Sequence, residues 1–294
     1  MHPALNWLSR CPLRLLHAAG GWVGWLPYLL SPSYRRRLRQ NAAAAGLDAD
    51  QRRAAVAEAG RLVLELPRLW LRPPGQPIED PVQWDNAELV SALLAQGQGL
   101  ILLSPHVGSF ELAAQAYAQR FGAEKPLTAL YRPARQHWLR ELQVQARTRP
   151  GLLTAPANLA GVRQLLRALR RGEALGMLPD QVPPAGQGVW APFFGQSAYT
   201  MTLVARLQQQ TAAAVCLIWV ERLPRGGGYV VHARPLPTPL PARPVQPSAD
   251  EEQAWLLASA AVLNQAMEWV IRQLPTQYLW GYHRYKQPRR GGGA

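Results

Sequence analysis

Four apolar runs of four or five residues, at 100–103, 127–131, 152–155 and 174–178, alternate with stretches of helical spacing at 110–120, 136–147 and 159–171. No other feature constrains the fold as much. A run this short, bounded as 100–103 is by Gly99 and Ser104, reads as a buried strand. Strands alternating with helices build an α/β sheet with helices on its faces. Such sheets carry their chemistry beyond the strand ends. The predicted class is therefore α/β, a mixed central sheet flanked by helices. Further strands at 213–220 and 229–234 surround the Gly226-Gly227-Gly228 turn. Further helices fill 35–70, 85–96, 199–210 and 250–274. The first of these stretches holds two helices, divided at Gly46, with Asp48 or Asp50 capping the second. Pro73, Pro74, Pro77, Pro81 and the proline-rich 234–247 mark connectors.

Charge and the N-terminus point to an anionic partner. The net charge is +14, and Lys125 and Lys286 are the only lysines, so arginine carries the excess. The planar guanidinium fork binds phosphate and carboxylate oxygens in pairs. Nucleic acid, an anionic membrane surface or an acidic carrier protein would suit such a chain. Residues 15–30 hold no formal charge apart from a proton on His17, and they include Trp22, Trp25 and Tyr28, residues that favour membrane interfaces. Arg14 limits this apolar run to 16 residues, short of the roughly 20 that span a bilayer. Arg35, Arg36, Arg37 and Arg39 follow and suit the anionic cytoplasmic leaflet. The expectation is an N-terminal membrane-associated helix, with residues 1–34 as an anchor and 35–294 as the catalytic domain.

Several chemistries are excluded by what the chain lacks. Cys11 and Cys216 form neither a disulfide framework nor a Cys-x-x-Cys metal site. There is no H-E-x-x-H motif and no phosphate-binding loop of the G-x-x-x-x-G-K-[ST] type, so neither a metal nor a cofactor is expected. Gly195-Gln196-Ser197-Ala198-Tyr199 fails as a serine-hydrolase elbow because Tyr199 stands where the closing glycine belongs.

The informative segment is Ser104-Pro105-His106-Val107-Gly108-Ser109-Phe110-Glu111, which leaves the strand 100–103 and enters a helix. With His106 in the loop and Glu111 in the first helical turn, the two side chains can meet. A carboxylate on one imidazole nitrogen fixes the tautomer, leaving the other nitrogen to take a proton from a hydroxyl. No activated Ser or Cys accompanies them, which favours direct attack by a substrate hydroxyl over an acyl-enzyme. Tyr278 and Trp280 read as core aromatics, and His232 and His283 receive no role.

His-x-x-x-x-Glu after a strand resembles the signature of the glycerolipid acyltransferase superfamily. Further blocks narrow the resemblance to the late acyltransferases of lipid A biosynthesis, which transfer lauroyl and myristoyl chains. These are Tyr131-Arg132-Pro133, Arg147-Thr148-Arg149, Pro179-Asp180-Gln181, residues 189–195 with Thr200, and the tail 275–286, which has Tyr-His-Arg-Tyr where the family often has a His-Arg-Arg-Phe-like run. The resemblance implies a glycerolipid-acyltransferase-like fold and catalysis by His106 and Glu111. Arg147 and Asp180 match two further site residues, and Arg132 and Gln181 lie in the same blocks as substrate-binding candidates. It implies acyl-acyl carrier protein, or acyl-CoA, as co-substrate, with acyl carrier protein as a partner. The acceptor is a phosphorylated glycolipid, and the site faces the cytoplasm at the bacterial inner membrane. Two rival readings are a lysophospholipid or other glycolipid acceptor, and a non-catalytic binder of nucleic acid or anionic lipid. No nucleic-acid motif supports the last.

Overall fold

The computed structural model describes residues 3–131, 143, 146 and 149–289. Arg132, Arg147 and most of the helix predicted over 136–147 therefore lie outside the described residues. Nine strands occur among the described residues: β1 (Val82–Asp85), β2 (Leu100–Leu103), β3 (Leu127–Tyr131), β4 (Leu152–Pro156), β5 (Ala174–Met177), β6 (Gly188–Phe193), β7 (Gln196–Met201), β8 (Ala214–Arg222) and β9 (Tyr229–Pro235). Seven of them make one sheet in the order β1-β9-β8-β2-β5-β3-β4. Strands β8, β2, β5, β3 and β4 run parallel, β9 runs antiparallel to β8, and β1 is parallel to β9. The mixed α/β sheet expected from the sequence is the one found.

Helices α6 (Ala87–Ala95), α7 (Phe110–Phe121), α8 (Leu159–Arg170), α9 (Leu203–Thr211) and α10 (Ala249–Gln273) flank the sheet. Strand β2 is buried along its whole length, as a central parallel strand should be. Its alternate residues feed two cores: Ile101 and Leu103 face one, with Val270, Ile271 and Trp280, and Leu100 and Leu102 face the other, with Leu112 and Tyr117.

The N-terminus is not one helix but three short ones: α1 (Pro3–Arg10), α2 (Leu13–Val23) and α3 (Trp25–Leu30). They are followed by α4 (Pro32–Ala44) and α5 (Ala49–Trp70). Asp48 caps α5 in a reciprocal capping box with Gln51. The break at Gly24 follows from how closely α2 and α3 approach α5. A Cβ on Gly24 would lie 2.1 Å from the Val56 carbonyl oxygen, and one on Gly60 would lie 2.1 Å from the Gly20 oxygen. Outward from this contact, Trp7, Leu15, Trp22, Leu26, Leu29 and Leu30 are exposed. Among the described residues only α10 is long and apolar enough to cross a membrane, and 56% of its apolar window is buried in the protein.

Two strand pairs escaped the sequence reading. Strand β1 has a short, half-polar sequence and exists by pairing with β9. The hairpin β6–β7 takes up residues 199–201, so the helix predicted from 199 starts at Leu203. Its turn places Phe194 (φ 44°) and Gly195 (φ 72°) in the left-handed region, which a phenylalanine rarely adopts. Tertiary contacts hold it there: the Phe194 amide donates to Glu268 (2.7 Å), its ring packs on Trp280 (centroids 5.6 Å), and Arg272 lies over the ring.

Candidate active site

The sheet register assembles the site. Strands β2 and β5 are parallel neighbours, with Leu103 opposite Met177. His106 lies three residues beyond Leu103 and Asp180 three beyond Met177, so the two loops leave the sheet side by side. Asp180 reaches across with both oxygens. Oδ2 accepts from the His106 amide (2.9 Å) and Oδ1 accepts from His106 Nδ1 (2.7 Å). A carboxylate, which only accepts, requires Nδ1 to carry the proton, so Nε2 is left with a lone pair. That lone pair accepts from Gln181 Nε2 at 2.9 Å. The imidazole edge is partly open, with 16% of the side chain exposed, while Asp180 is buried and Gln181 is exposed. Phe110 packs against the ring at 4.8 Å between centroids.

Burial pushes the Asp180 carboxyl upward, but the His106 ring, the His106 amide and the charge of Arg284 overcome it and hold the group below its ordinary value. The C-terminal tail builds this environment. Tyr278 is buried, and both that burial and the Asp180 carboxylate beside it raise its phenol well above the usual range. Arg284 is buried as well. It donates to the Tyr199 carbonyl (2.7 Å) and Thr200 Oγ1 (2.7 Å), and its guanidinium lies over the Phe193 ring. The tail also splints the His106 loop: Leu279 N donates to the His106 carbonyl (3.1 Å), and Gly108 N donates to the Gln277 carbonyl (3.0 Å).

Every amide from His106 to Ser109 is engaged. His106 N binds Asp180, Val107 N binds Pro105 O, Gly108 N binds Gln277 O and Ser109 N binds Val220 O. These amides are closed to an incoming oxyanion. The side chain already poised at Nε2 with N–H groups to donate is Gln181.

The structure corrects one assignment. Sequence spacing makes Glu111 the carboxylate on the imidazole, but Asp180 occupies Nδ1. Glu111 lies in the first turn of α7, and its Oε2 accepts from the Trp70 indole at the end of α5 (3.2 Å). Asp180 and Gln181 meet His106 as members of one cluster; Arg132 and Arg147 lie outside the described residues. Arg149 of the same block is buried and caps α5, donating to the carbonyls of Leu69 (2.9 Å) and Arg72 (3.1 Å). Tyr278 and Arg284 are the residues that sequence reasoning missed. Tyr278 is the core aromatic expected, and it also touches the acid. The available signal was the aromatic and basic tail block itself, which the sequence could not connect to a loop about a hundred residues away.

Known proteins bear on this geometry. Residues 4–287 match the family model described as bacterial lipid A biosynthesis acyltransferase. The chain is 28% identical over 192 residues to the lipid A biosynthesis palmitoleoyltransferase of Escherichia coli K12, an alignment covering 65% of this chain and 57% of that protein. It is 26% identical over 200 residues to the lipid A biosynthesis lauroyltransferase of the same organism, covering 68% and 60%. A lipid A biosynthesis acyltransferase of Haemophilus influenzae is 27% identical over 194 residues, covering 66% and 55%. The aligned part thus spans less than two thirds of these relatives. The family match runs through the His106 loop, the Asp180 loop and the tail that packs on both, and the chain belongs to the bacterial lipid A biosynthesis acyltransferase family.

Proposed function

We propose that the protein is a membrane-associated O-acyltransferase that moves a fatty acyl chain from acyl-acyl carrier protein, or acyl-CoA, to a hydroxyl of a lipid A precursor. The observation that carries this reading is an imidazole with its Nδ1 proton fixed by buried Asp180 and its Nε2 lone pair at a partly open edge. His106 Nε2 takes the proton of the acceptor hydroxyl as its oxygen attacks the thioester carbonyl. The resulting oxyanion collapses, the C–S bond breaks, and the imidazolium returns the proton to the thiolate. Asp180 stabilises the imidazolium in between. The acceptor hydroxyl takes the place of the Gln181 amide, and the exposed Gln181 side chain turns to donate to the oxyanion. Glu111 stays in the site on its Trp70 contact. Arg132 and Arg147 hold the acceptor's phosphates.

Residues 1–34 serve as the membrane-seating segment of the 35–294 catalytic domain, on the cytoplasmic face of the inner membrane. The exposed Trp7, Leu15, Trp22, Leu26, Leu29 and Leu30 support this, since exposed aromatic and leucyl side chains next to arginines suit the headgroup boundary. The +14 charge suits an acidic carrier protein. The test offers membranes containing the protein a tetra-acylated, phosphorylated disaccharide and acyl carrier protein loaded with chains of different length, with products read by mass spectrometry. One added acyl chain on the disaccharide is expected. Acylation of a lysophospholipid control alone would keep the chemistry and replace the acceptor.

A further inference from the structure

A second buried cluster lies directly behind the His106 loop. Arg222, the last residue of β8, is 3% exposed, and Glu65 on α5 is fully buried. Arg222 binds Glu65 with two parallel hydrogen bonds (Nε to Oε2 and Nη2 to Oε1, both 2.9 Å) and Glu58 through Nη1 (2.7 Å). Glu65 also accepts from Tyr229 (3.2 Å) and pairs with Nε2 of His17 on α2 (3.0 Å). The guanidinium has one further contact: Nη2 donates to the carbonyl of Gly108 at 3.2 Å. Gly108 is two residues from His106. Its φ is +57°, and a Cβ there would lie 1.8 Å from the Val220 oxygen, so the backbone passes β8 at contact distance. Its amide is held by the Gln277 carbonyl, while the Gln277 side chain brackets Arg222, accepting from the Arg222 amide (3.0 Å) and donating to the Arg222 carbonyl (2.9 Å).

We propose that Arg222 is a positioning residue for His106: aimed by Glu65, it fixes the Gly108 carbonyl and with it the backbone that points the imidazole at Asp180. The proposal rests on the acyltransferase reading for its kinetic readout only. A buried ion pair does not by itself stabilise a fold relative to apolar side chains of the same volume. Replacing the pair leaves Glu58 with Arg61 but takes a partner from His17 and Tyr229, so its effect on stability is read separately from its effect on the loop; a role in aiming the loop is lost with the pair, because methionine cannot donate to Gly108. The cluster also joins α2, whose outer face carries Leu15 and Trp22, to the loop through His17, Glu65 and Arg222.

The test compares the wild type, the double variant Glu65→Leu/Arg222→Met, and Arg222→Lys, each checked for folding by thermal melting. The readouts are kcat, KM for donor and acceptor, and imidazole 15N NMR of His106, which reports its tautomer with or without turnover. In the folded double variant, kcat should fall at least tenfold with KM within twofold, and the single Nδ1–H tautomer should be lost. Arg222→Lys, which keeps the charge but not the fork, should fall between it and the wild type. A folded double variant with kcat within twofold and an unchanged tautomer would overturn the proposal. If the double variant does not fold, Arg222→Lys decides by the same two readouts. If the wild type acylates nothing, the acyltransferase reading fails and the tautomer still decides the positioning role.

Discussion

Two histidine–carboxylate pairs within this molecule meet at similar distances, one through Nδ1 and one through Nε2, in opposite surroundings. His106 and Asp180 meet at 2.7 Å at the end of the sheet, and His17 and Glu65 meet at 3.0 Å between α2 and α5. In the first, the imidazole is 16% exposed and its Nε2 faces an exposed carboxamide. In the second, both residues are buried (3% and 0%), and the acid is shared with Arg222 and Tyr229. The residue types do not decide between chemistry and architecture. What decides is whether the second ring nitrogen can be reached, and whether the acid answers to the imidazole or to a permanent cation. A third pair marks the same boundary from the surface side. His232 has both nitrogens occupied, by Asp85 (2.8 Å) and Glu221 (3.0 Å), and its ring is stacked on Trp219.

This comparison can be broken at each pair. The largest effect is expected at His106. His106→Ala should lower acyl transfer by about 10³-fold, within the range general-base catalysis supplies, while the melting temperature stays near the wild type's. Near-normal turnover would remove the distinction.

Glu65 should show the reverse pattern, with stability as the primary readout. Burial alone would raise its carboxyl, but Arg222 and His17 overcome this and hold it at about 2, below the ordinary 4.5. A depressed carboxyl adds stability that is complete above the unfolded value and drains as pH falls toward the folded one. Glu65→Gln should therefore destabilise the fold by roughly 3 kcal/mol near pH 7, because it takes from the buried Arg222 the carboxylate that holds its fork and leaves it Glu58 alone. It should also flatten the dependence of stability on pH between about 4.5 and 2. Denaturant melts across that window check both; a variant as stable and as acid-sensitive as the wild type would deny the buried pair its structural role.

The smallest effect belongs to His232. His232→Ala should cost less than about 1 kcal/mol, as partly exposed ion pairs do, and leave turnover unchanged. A loss of turnover there would mean that the β8–β9 surface takes part in the reaction.

Much of the scaffold was legible in the sequence, because local patterns create it. The runs at 100–103, 127–131, 152–155 and 174–178 became β2 to β5 to within a residue, and Asp48 caps α5. The position of His106 in the loop between β2 and α7 was legible as well. The identity of its acid was not, because that depends on strand order. Only with β2 beside β5 does the Pro179-Asp180 loop come nearer to Nδ1 than a carboxylate five residues along the chain. The same limit hid the β6–β7 hairpin, whose turn has Gly195 as its one local signal, while the left-handed Phe194 beside it is held by Glu268, Arg272 and Trp280. It also hid the Glu65–Arg222 cluster, whose members lie 157 positions apart. A buried charge shows in sequence only if its partner is already known.

The central claim is that Asp180, and not Glu111, orients the base. The direct measurement is kcat/KM together with the imidazole 15N spectrum of His106 for Asp180→Asn beside Glu111→Gln. The Asp180 carboxylate only accepts at Nδ1, whereas an asparagine amide can also donate there, so the tautomer is no longer fixed in Asp180→Asn. The account predicts that Asp180→Asn loses the single Nδ1–H tautomer while the rate falls by about 10²-fold or more, and that Glu111→Gln keeps the tautomer. A tautomer lost in Glu111→Gln and kept in Asp180→Asn would contradict it.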